Sequence, residues 1–240
     1  EDWKEVAEGG DLRAAPPKFP KAILPGTTGE QAKIKLPKGG GTYRIYAFIR
    51  DGRGSAATGN ISIKIKGERK PIPAESLDTP VEITGASQNG PWAASGWMGN
   101  TAQLRMDEAS TENPKVGKEC TKISFQSKSG WAGVVWQHPA GDWGDTPGGF
   151  DLTGATQLSF WARGAEGGEK VSIGIGNIGK DKRYHDTFSD KKDLTLTGEW
   201  QQFEINLTGK NLTRIKSALY FTTSSDGKPQ TFFLDGVIIQ

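Results

Sequence analysis

Alternating hydrophobic and polar residues mark two strands in the first third of the chain. Residues 41–51 spell Gly-Thr-Tyr-Arg-Ile-Tyr-Ala-Phe-Ile-Arg-Asp, and residues 60–66 place three isoleucines on one face and polar side chains on the other. A period of two predicts half-buried strands, and the intervening Asp-Gly-Arg-Gly predicts the turn of an antiparallel hairpin. With residues 31–36 as a third strand, the pattern predicts a small immunoglobulin-like sandwich over residues 1–67.

From about residue 76 short strand patterns follow one another, and no segment holds a period of 3.6 long enough for a helix. The predicted strands are 119–126, 131–136, 157–163, 170–175, 200–207, 217–222 and 231–239. Such spacing predicts a two-sheet jelly roll over residues 76–240, with one sheet concave. Charges and two prolines at 68–75 predict a linker between the two modules. The expected fold class is therefore all-β, an Ig-like β-sandwich followed by a β-jelly-roll sandwich.

Composition narrows the classes of function. The chain has 33 glycines and 13 prolines in 240 residues, and this frequency of turn-forming residues is typical of many short strands joined by turns. Its net charge is +2, and its basic residues are scattered rather than gathered into a nucleic-acid-binding face. No apolar run approaches the roughly 18 residues of a membrane span. We therefore expect no nucleic acid and no membrane span, and we expect the chain to be a piece of a longer protein.

Tryptophans are concentrated in one part of the chain, since five of the eight lie between Trp97 and Trp161. Indole faces stack on the apolar face of a pyranose ring, so this density favours sugar binding. Trp131 and Trp136 point to opposite faces of the strand 131–137, and parity alone does not decide which of them is core. Gln137 shares the face of Trp131, which makes all three candidates for ligand contact.

Two further tryptophans have polar neighbours. Trp161 shares a strand face with Arg163, and it is either a stacking platform or packing beneath a loop. Trp143 lies in a Gly-Asp-Trp-Gly-Asp loop, where it contacts ligand or anchors the loop. We expect Trp143, Trp161 and Arg163 to belong to a sugar-binding surface.

A cluster of polar side chains follows the glycine-rich segment 173–179. Arg183, Tyr184, His185 and Asp186 are consecutive, and such residues in a loop bind hydroxyl groups or the carboxylate of a uronic acid. The alternative is an ordinary solvated turn.

Several segments carry a resemblance to a known family. The segments 95–100, 131–139, 141–145 and 158–164, together with Phe-Leu-Asp-Gly at 233–236, resemble the carbohydrate-binding-module-like jelly rolls of the galactose-binding-like superfamily that are appended to secreted bacterial glycoside hydrolases. Residues 1–67 resemble the Ig-like module that often precedes such a domain. The resemblance implies a polysaccharide or oligosaccharide partner, a covalently linked catalytic domain, and a secreted, cell-surface or periplasmic location in a bacterium.

The resemblance also implies a structural calcium ion near the last strand. Asp235 matches by position, and Asn100 and Asp107 are its expected companions. The family pattern has Asp where this chain has Asn100 and Gly236.

No catalytic signature accompanies these features. The chain lacks the Glu-X-Asp-X-X-Glu run of jelly-roll glucanases, and it lacks a Gly-X-Ser-X-Gly elbow and a P-loop. We therefore predict a non-catalytic carbohydrate-binding module pair. Two alternatives stay open, which are a spacer or protein-interaction module without a ligand, and a polysaccharide lyase that uses Arg183, Tyr184 and His185.

Overall fold

A computed structural model describes residues 41–50, 52–54, 56–66, 72–84 and 90–240. The chain divides into two compact units, Glu1–Lys70 and Pro71–Gln240. In the first unit, β1 (Gly41–Arg50) pairs antiparallel with β2 (Ala56–Ile65), which is the predicted hairpin. The predicted strand 31–36 lies outside the described residues, so the Ig-like module stays a prediction.

The second unit is a sandwich of two antiparallel sheets. A five-stranded sheet has the order β12-β11-β14-β8-β5, and a six-stranded sheet has the order β13-β10-β15-β7-β6 with β4 also paired to β15. A short parallel pair, β3-β9, and a 3₁₀ turn at Thr101–Gln103 complete the unit. The strands are β3 (Glu75–Ser76), β4 (Val81–Thr84), β5 (Ala93–Gly99), β6 (Leu104–Ser110), β7 (Cys120–Phe125), β8 (Trp131–Gln137), β9 (Phe150–Asp151), β10 (Gln157–Gly164), β11 (Lys170–Ile175), β12 (Asp190–Thr195), β13 (Gln201–Asn206), β14 (Ser217–Ser224) and β15 (Gln230–Ile239).

Residues 72–75, which the sequence analysis assigned to the linker, are part of the second unit. Glu75 belongs to β3 and pairs with Phe150, and the carbonyl of Ile72 accepts a hydrogen bond from the Arg214 guanidinium. Prolines and charged residues are common both in linkers and at the edges of sheets, so the composition of this segment does not distinguish the two.

The core fills the space between the two sheets, and the alternation along β8 and β10 places their residues as parity requires. Leu158, Phe160 and Ala162 of β10 face the core, as predicted. On β8, Trp136 faces the core with an exposed fraction of 1%, and its ring lies 6.1 Å from that of Phe221. Full burial of a large apolar side chain contributes roughly 1.5–3 kcal/mol, so this interior holds the two sheets together.

Candidate functional site

The outer face of the five-stranded sheet turns away from the core and carries aromatic and polar side chains. On β8, Ala132, Val134 and Trp136 are in the core, so the alternate residues Trp131, Gly133, Val135 and Gln137 lie on the outer face. The register extends this face across the neighbouring strands. Tyr220 and Thr222 of β14 pair with Val135 and Gly133, and Ser172 and Gly174 of β11 pair with Thr222 and Tyr220.

Glycines keep the middle of this face flat. A Cβ atom at Gly174 would lie 2.8 Å from Cε1 of Tyr220, so the tyrosine ring rests directly against the glycine backbone. A Cβ atom at Gly133 would collide with the carbonyl oxygen of Phe221 and lie 2.9 Å from the Thr222 methyl group. Side chains at these two positions are therefore excluded by the neighbouring strands, which pack closely against both glycines.

An open cleft of about 320 Å³ lies on this face at the start of β8. Trp131 forms one side of the cleft, and 48% of its surface is exposed. Such exposure is unusual for tryptophan, because the large indole is normally well buried. The other lining residues are Lys170, Val171, Ser172, Asp193, Leu194, Thr195, Thr222, Thr223 and Ser224.

Charged groups beside the cleft occur in pairs of opposite sign. Lys191 Nζ lies 2.8 Å from Asp193 Oδ1, and the Ser172 hydroxyl donates to the same carboxylate. These hydrogen bonds, first from Lys191 and then from Ser172, lower the pKa of Asp193 below its ordinary value, so the carboxylate is ionised at neutral pH. Lys170 Nζ pairs with Asp226 at 3.1 Å. The cleft therefore offers hydrogen-bonding groups without a net charge from these pairs.

Tyr220 lies near the middle of the face, packed against Gly174, and only 8% of its surface is exposed. Burial raises the pKa of its phenol above the ordinary value, while the charge of Lys191 lowers it. The phenol therefore stays protonated at neutral pH and is both a donor and an acceptor.

The other predicted ligand residues lie in three places: on β8, on the outer face of the six-stranded sheet, and in the loops at one end of the five-stranded sheet. Trp136 is in the core and presents no face to a ligand. Gln137 faces outward but is fully buried, and its Oε1 accepts a hydrogen bond from the Ser95 hydroxyl at 3.1 Å. Beside it, Gly141 donates its N–H to the same hydroxyl at 2.8 Å, so the loop after β8 covers this end of the face.

Trp161 and Arg163 lie on the outer face of the six-stranded sheet, away from the cleft. Lys115 Nζ lies 4.3 Å from the centroid of the Trp161 ring, and Val116 and Trp161 both approach Gly236. Arg163 is buried, lies 3.7 Å from the Phe233 ring and donates to the carbonyl of Glu112 at 2.9 Å. Because β10 is in the other sheet, neither residue shares a face with Trp131.

The loop tryptophan and the polar cluster meet at the end of the sheet where β8 and β11 terminate. Trp143 is half-buried in the loop 138–149, and Gly144 O accepts a hydrogen bond from Tyr184 N at 3.0 Å. Tyr184 and Asp186 are buried. Arg183 and His185 are half-buried and line a second pocket.

Asp186 holds the loop to the sheet and is inaccessible to a ligand. It accepts hydrogen bonds from the backbone N–H groups of Ile178 at 2.8 Å and Ser217 at 3.1 Å and from the Ser217 hydroxyl. Burial raises the pKa of the Asp186 carboxyl, and these hydrogen bonds oppose the rise. Its role is to join β14 to the loop between β11 and β12.

The three predicted calcium ligands do not fit a shared ion. Both oxygens of Asp235 already accept backbone N–H groups, at 2.7 Å from Lys115, 2.8 Å from Val116 and 2.7 Å from Gly236. Asp107 is on β6, which β7 separates from β15, and Asn100 follows β5 of the other sheet. Calcium binds six to eight oxygens that point at one centre. Among the described residues no group of three His, Cys, Asp or Glu is placed to hold a metal.

The sequence analysis missed the polar half of the cleft. Ser172, Asp193 and Thr222, which line the cleft, become neighbours only through the pairing of β12, β11 and β14. A partial signal is the parity of β14, which places Thr222 on the face opposite the core residues Leu219 and Phe221.

An antiparallel β-sandwich with an exposed indole beside an open cleft of hydrogen-bonding groups has the features of a sugar-binding module. The chain belongs to the family Carbohydrate binding domain 30, whose model matches residues 81–240. It is therefore a member of a non-catalytic carbohydrate-binding family.

Solved structures of similar modules accompany this family match. The family 30 module of a cellulosomal cellulase of Clostridium thermocellum is 20% identical with a TM-score of 0.40, over 72% of this chain and 94% of that one. Another family 30 module is 19% identical with a TM-score of 0.41, over 72% and 85%. A family 11 module from Clostridium thermocellum, in complex with a β-1,3-1,4-mixed-linked tetrasaccharide, is 13% identical with a TM-score of 0.44, over 68% and 96%.

A search of curated proteins finds no significant match. No helix among the described residues has the length and apolar character needed to cross a membrane.

Proposed function

We propose that the outer face of the five-stranded sheet binds an uncharged polysaccharide or oligosaccharide, with Trp131 as the stacking platform. The observation that carries this proposal is the half-exposed Trp131 indole at the side of an open cleft that is also lined by the hydroxyl groups of serine and threonine. A pyranose ring placed against the indole buries its apolar C–H face and leaves its hydroxyls free for hydrogen bonds.

The polar lining supports a neutral ligand. Lys191 pairs with Asp193 and Lys170 pairs with Asp226, so neither lysine is left to select an anion. The hydroxyls of Ser172, Thr222 and Ser224, which line the cleft, are both donors and acceptors, as sugar hydroxyls are. Each such contact replaces a hydrogen bond to water, so the affinity of a single site is expected to be modest.

We further propose that this module serves a secreted bacterial enzyme that degrades glycans. The resemblance of residues 95–240 to appended jelly rolls supports this, as does the similarity to a module of a cellulosomal cellulase. Binding to a polysaccharide raises the local concentration of a linked catalytic domain near its substrate. The first unit, as an Ig-like module, would space the binding face from that domain.

The lyase alternative loses support from the placement of its residues. Tyr184 is buried between the Arg183 and Arg214 guanidinium groups, each 5.2 Å from its ring, so the phenol does not reach a substrate proton.

Affinity electrophoresis through gels that contain neutral or acidic polysaccharides tests the proposal. We expect retardation by at least one neutral glycan and no unsaturated product that absorbs in the ultraviolet. Unretarded migration through every gel would favour a spacer without a ligand, and an unsaturated product would favour a lyase.

The position of the ligand can be mapped on the same protein. Tryptophans are oxidised with N-bromosuccinimide in the absence and presence of the retarding glycan, and the products are located by peptide mass spectrometry. The glycan should protect Trp131 and leave Trp97 reactive, since the two indoles are similarly exposed, at 48% and 41%. Trp97 pairs with Val134 and lies on the core side of the edge strand β5, so it is the internal control. Equal protection of both would contradict the assignment to the cleft.

A further inference from the structure

Asp193 lines the cleft at the side away from Trp131. The lining residues belong to neighbouring strands in the order β8, β14, β11 and β12, with Trp131 on the first and Asp193 on the last. Asp193 pairs with Ser172, which pairs with Thr222, so these side chains share one face of the sheet. With a spacing of about 4.8 Å between neighbouring strands, the backbones of β8 and β12 are roughly 14 Å apart. The cleft is therefore wider than one sugar ring.

Hydrogen bonds hold one oxygen of the Asp193 carboxylate and leave the other open. The Ser172 hydroxyl donates to Oδ1 from β11, and Lys191 Nζ lies 2.8 Å from the same oxygen. Oδ2 accepts no hydrogen bond from any residue in the described part of the chain, and 69% of the side chain is exposed. The carboxylate is thus oriented by donors on two strands, and one of its acceptor oxygens is available to a molecule in the cleft.

The charge state of Asp193 suits a donor rather than an anion. Hydrogen bonds, first from Lys191 and then from Ser172, keep the pKa of Asp193 below its ordinary value. An ionised carboxylate has acceptor sites and no donor. A hydrogen bond to an ionised group is roughly twice as strong as one between neutral groups. A sugar hydroxyl can therefore donate to Oδ2, whereas the carboxylate of an acidic sugar would be repelled by it.

A second pair of a carboxylate and a lysine lies beside the cleft but is arranged differently. Asp226, in the turn between β14 and β15, accepts a hydrogen bond from Lys170 Nζ at 3.1 Å. Its side chain is 78% exposed, close to the value for Asp193, but it does not line the cleft. Among the described residues that line the cleft, Asp193 is the only one with a carboxylate.

We propose that Asp193 is a second ligand contact in the cleft and selects neutral glycan chains long enough to reach from Trp131 to β12. One sugar unit stacks on Trp131, and hydroxyl groups of another unit of the same chain donate to Oδ2 of Asp193. Lys191 is a positioning residue, because it holds Oδ1 and so fixes the direction of Oδ2. This inference rests on the proposed function and adds to it a requirement for chain length.

Titration of the full chain with oligosaccharides of increasing length tests the contact with Asp193. The probes are β-linked gluco-, galacto- and xylo-oligosaccharides of two, four and six sugar units, and the series that binds most tightly is used throughout. The measured quantity is the gain in affinity from the disaccharide to the hexasaccharide. We expect Asp193→Asn to reduce this gain roughly tenfold, because only the longer chain reaches β12. An unchanged gain would overturn the proposal.

Asp226→Asn is the matched control for this variant. Like Asp193→Asn, it removes one negative charge beside the cleft and deprives one lysine of its partner. We expect its gain in affinity with chain length to stay within about twofold of that of the unaltered protein. An equal loss in both variants would assign the effect to net charge and refute a direct contact. Thermal unfolding of each variant verifies that it is folded.

A double-mutant cycle tests the positioning role of Lys191, which does not line the cleft. Lys191→Gln alone should weaken hexasaccharide binding about threefold, since it removes an exposed ion pair that orients the carboxylate. The same change in the Asp193→Asn background should have no further effect, because its target is already gone. Additive losses would show that Lys191 acts independently of Asp193 and would contradict the positioning role.

Carbon NMR of the carboxyl groups gives a readout on the unaltered protein. The hexasaccharide should shift the Cγ signal of Asp193 more than that of Asp226, with the two variants used to assign the signals. Hexasaccharide binding without a shift at Asp193 would reject the contact and leave the proposed function in place. If the unaltered protein binds none of the three series, the proposed function fails and this inference fails with it, so the two failures are distinguishable.

Discussion

Replacement of Trp131 by alanine should weaken glycan binding by an amount that the exposed surface of the indole sets. A tryptophan presents up to about 250 Å², so an exposed fraction of 48% leaves about 120 Å² in contact with solvent. One pyranose ring covers one indole face, or about 60 Å², and at about 25 cal/mol per Å² this contributes ~1.5 kcal/mol. The dissociation constant of Trp131→Ala should therefore rise about tenfold.

Trp97→Ala is the matched control for this measurement. It removes an indole of similar exposure, 41%, from the edge strand on the core side of the sheet. We expect its dissociation constant for the retarding glycan, measured by isothermal titration, to stay within about twofold of the unaltered protein. If Trp97→Ala weakens binding as much as Trp131→Ala does, or if Trp131→Ala binds normally, the assignment of the ligand to the cleft is refuted.

Four further predictions concern the stability of the fold and the reactivity of its one cysteine. Asp142→Asn leaves the fully buried Lys216 ammonium without its carboxylate and should cost about 3–5 kcal/mol of unfolding free energy in urea; adding Lys216→Met should recover most of this, and no recovery would count against a buried ion pair. Burial, followed by the charge of Lys216, lowers the pKa of His138, so the unfolded chain takes up the proton first as pH falls. The free energy of unfolding should therefore decrease as pH drops below the ordinary value of 6.5. His138→Asn should reduce this dependence of the unfolding free energy on pH, and an unchanged dependence would assign it to other groups. Burial raises the pKa of Cys120 to about 11, so a disulfide reagent at pH 8 should label it slowly in the native protein and rapidly in urea; fast native labelling would contradict its burial. Gly133→Ala places a methyl group against a backbone carbonyl and should destabilise the module by about 1–3 kcal/mol in the same urea assay. At Gly130 no atom lies within 4 Å of an added methyl group but the φ angle is positive, so Gly130→Ala measures the cost of backbone strain without a steric collision.

The predicted strands that match the structure are those with alternating or continuous apolar residues. Parity on β10 gave the core face correctly, because side chains alternate wherever a strand is regular. Among the strands that were missed, β5 and β12 lie at the edges of the five-stranded sheet and β6 lies at an edge of the six-stranded sheet. Edge strands carry charges and polar residues that hide the period of two, as Asp-Lys-Lys-Asp-Leu-Thr of β12 does.

The candidate site was only partly accessible to sequence reasoning. Trp131 was one of two candidates on β8, since parity could not show that Trp136 is the core residue. Trp161 was also a candidate because parity gives the face of a strand and not the sheet to which the strand belongs. Asp186 looked like a ligand residue in a polar loop. Its carboxylate is buried because the backbone N–H groups of Ile178 and Ser217 donate hydrogen bonds to it. Ser217 is distant in the sequence, and backbone N–H groups are present at every such position, so the sequence does not show these contacts. Such long-range pairing leaves no local signature.

The hydrogen bond from Arg214 to the carbonyl of Ile72 bears on how the binding module can be excised. A fragment cut at residue 81, where the family match starts, would discard β3 and remove one acceptor from a guanidinium that is 7% exposed. An unmet buried donor costs about 1–3 kcal/mol, more when it is charged, so such a fragment should melt earlier than one that keeps Ile72.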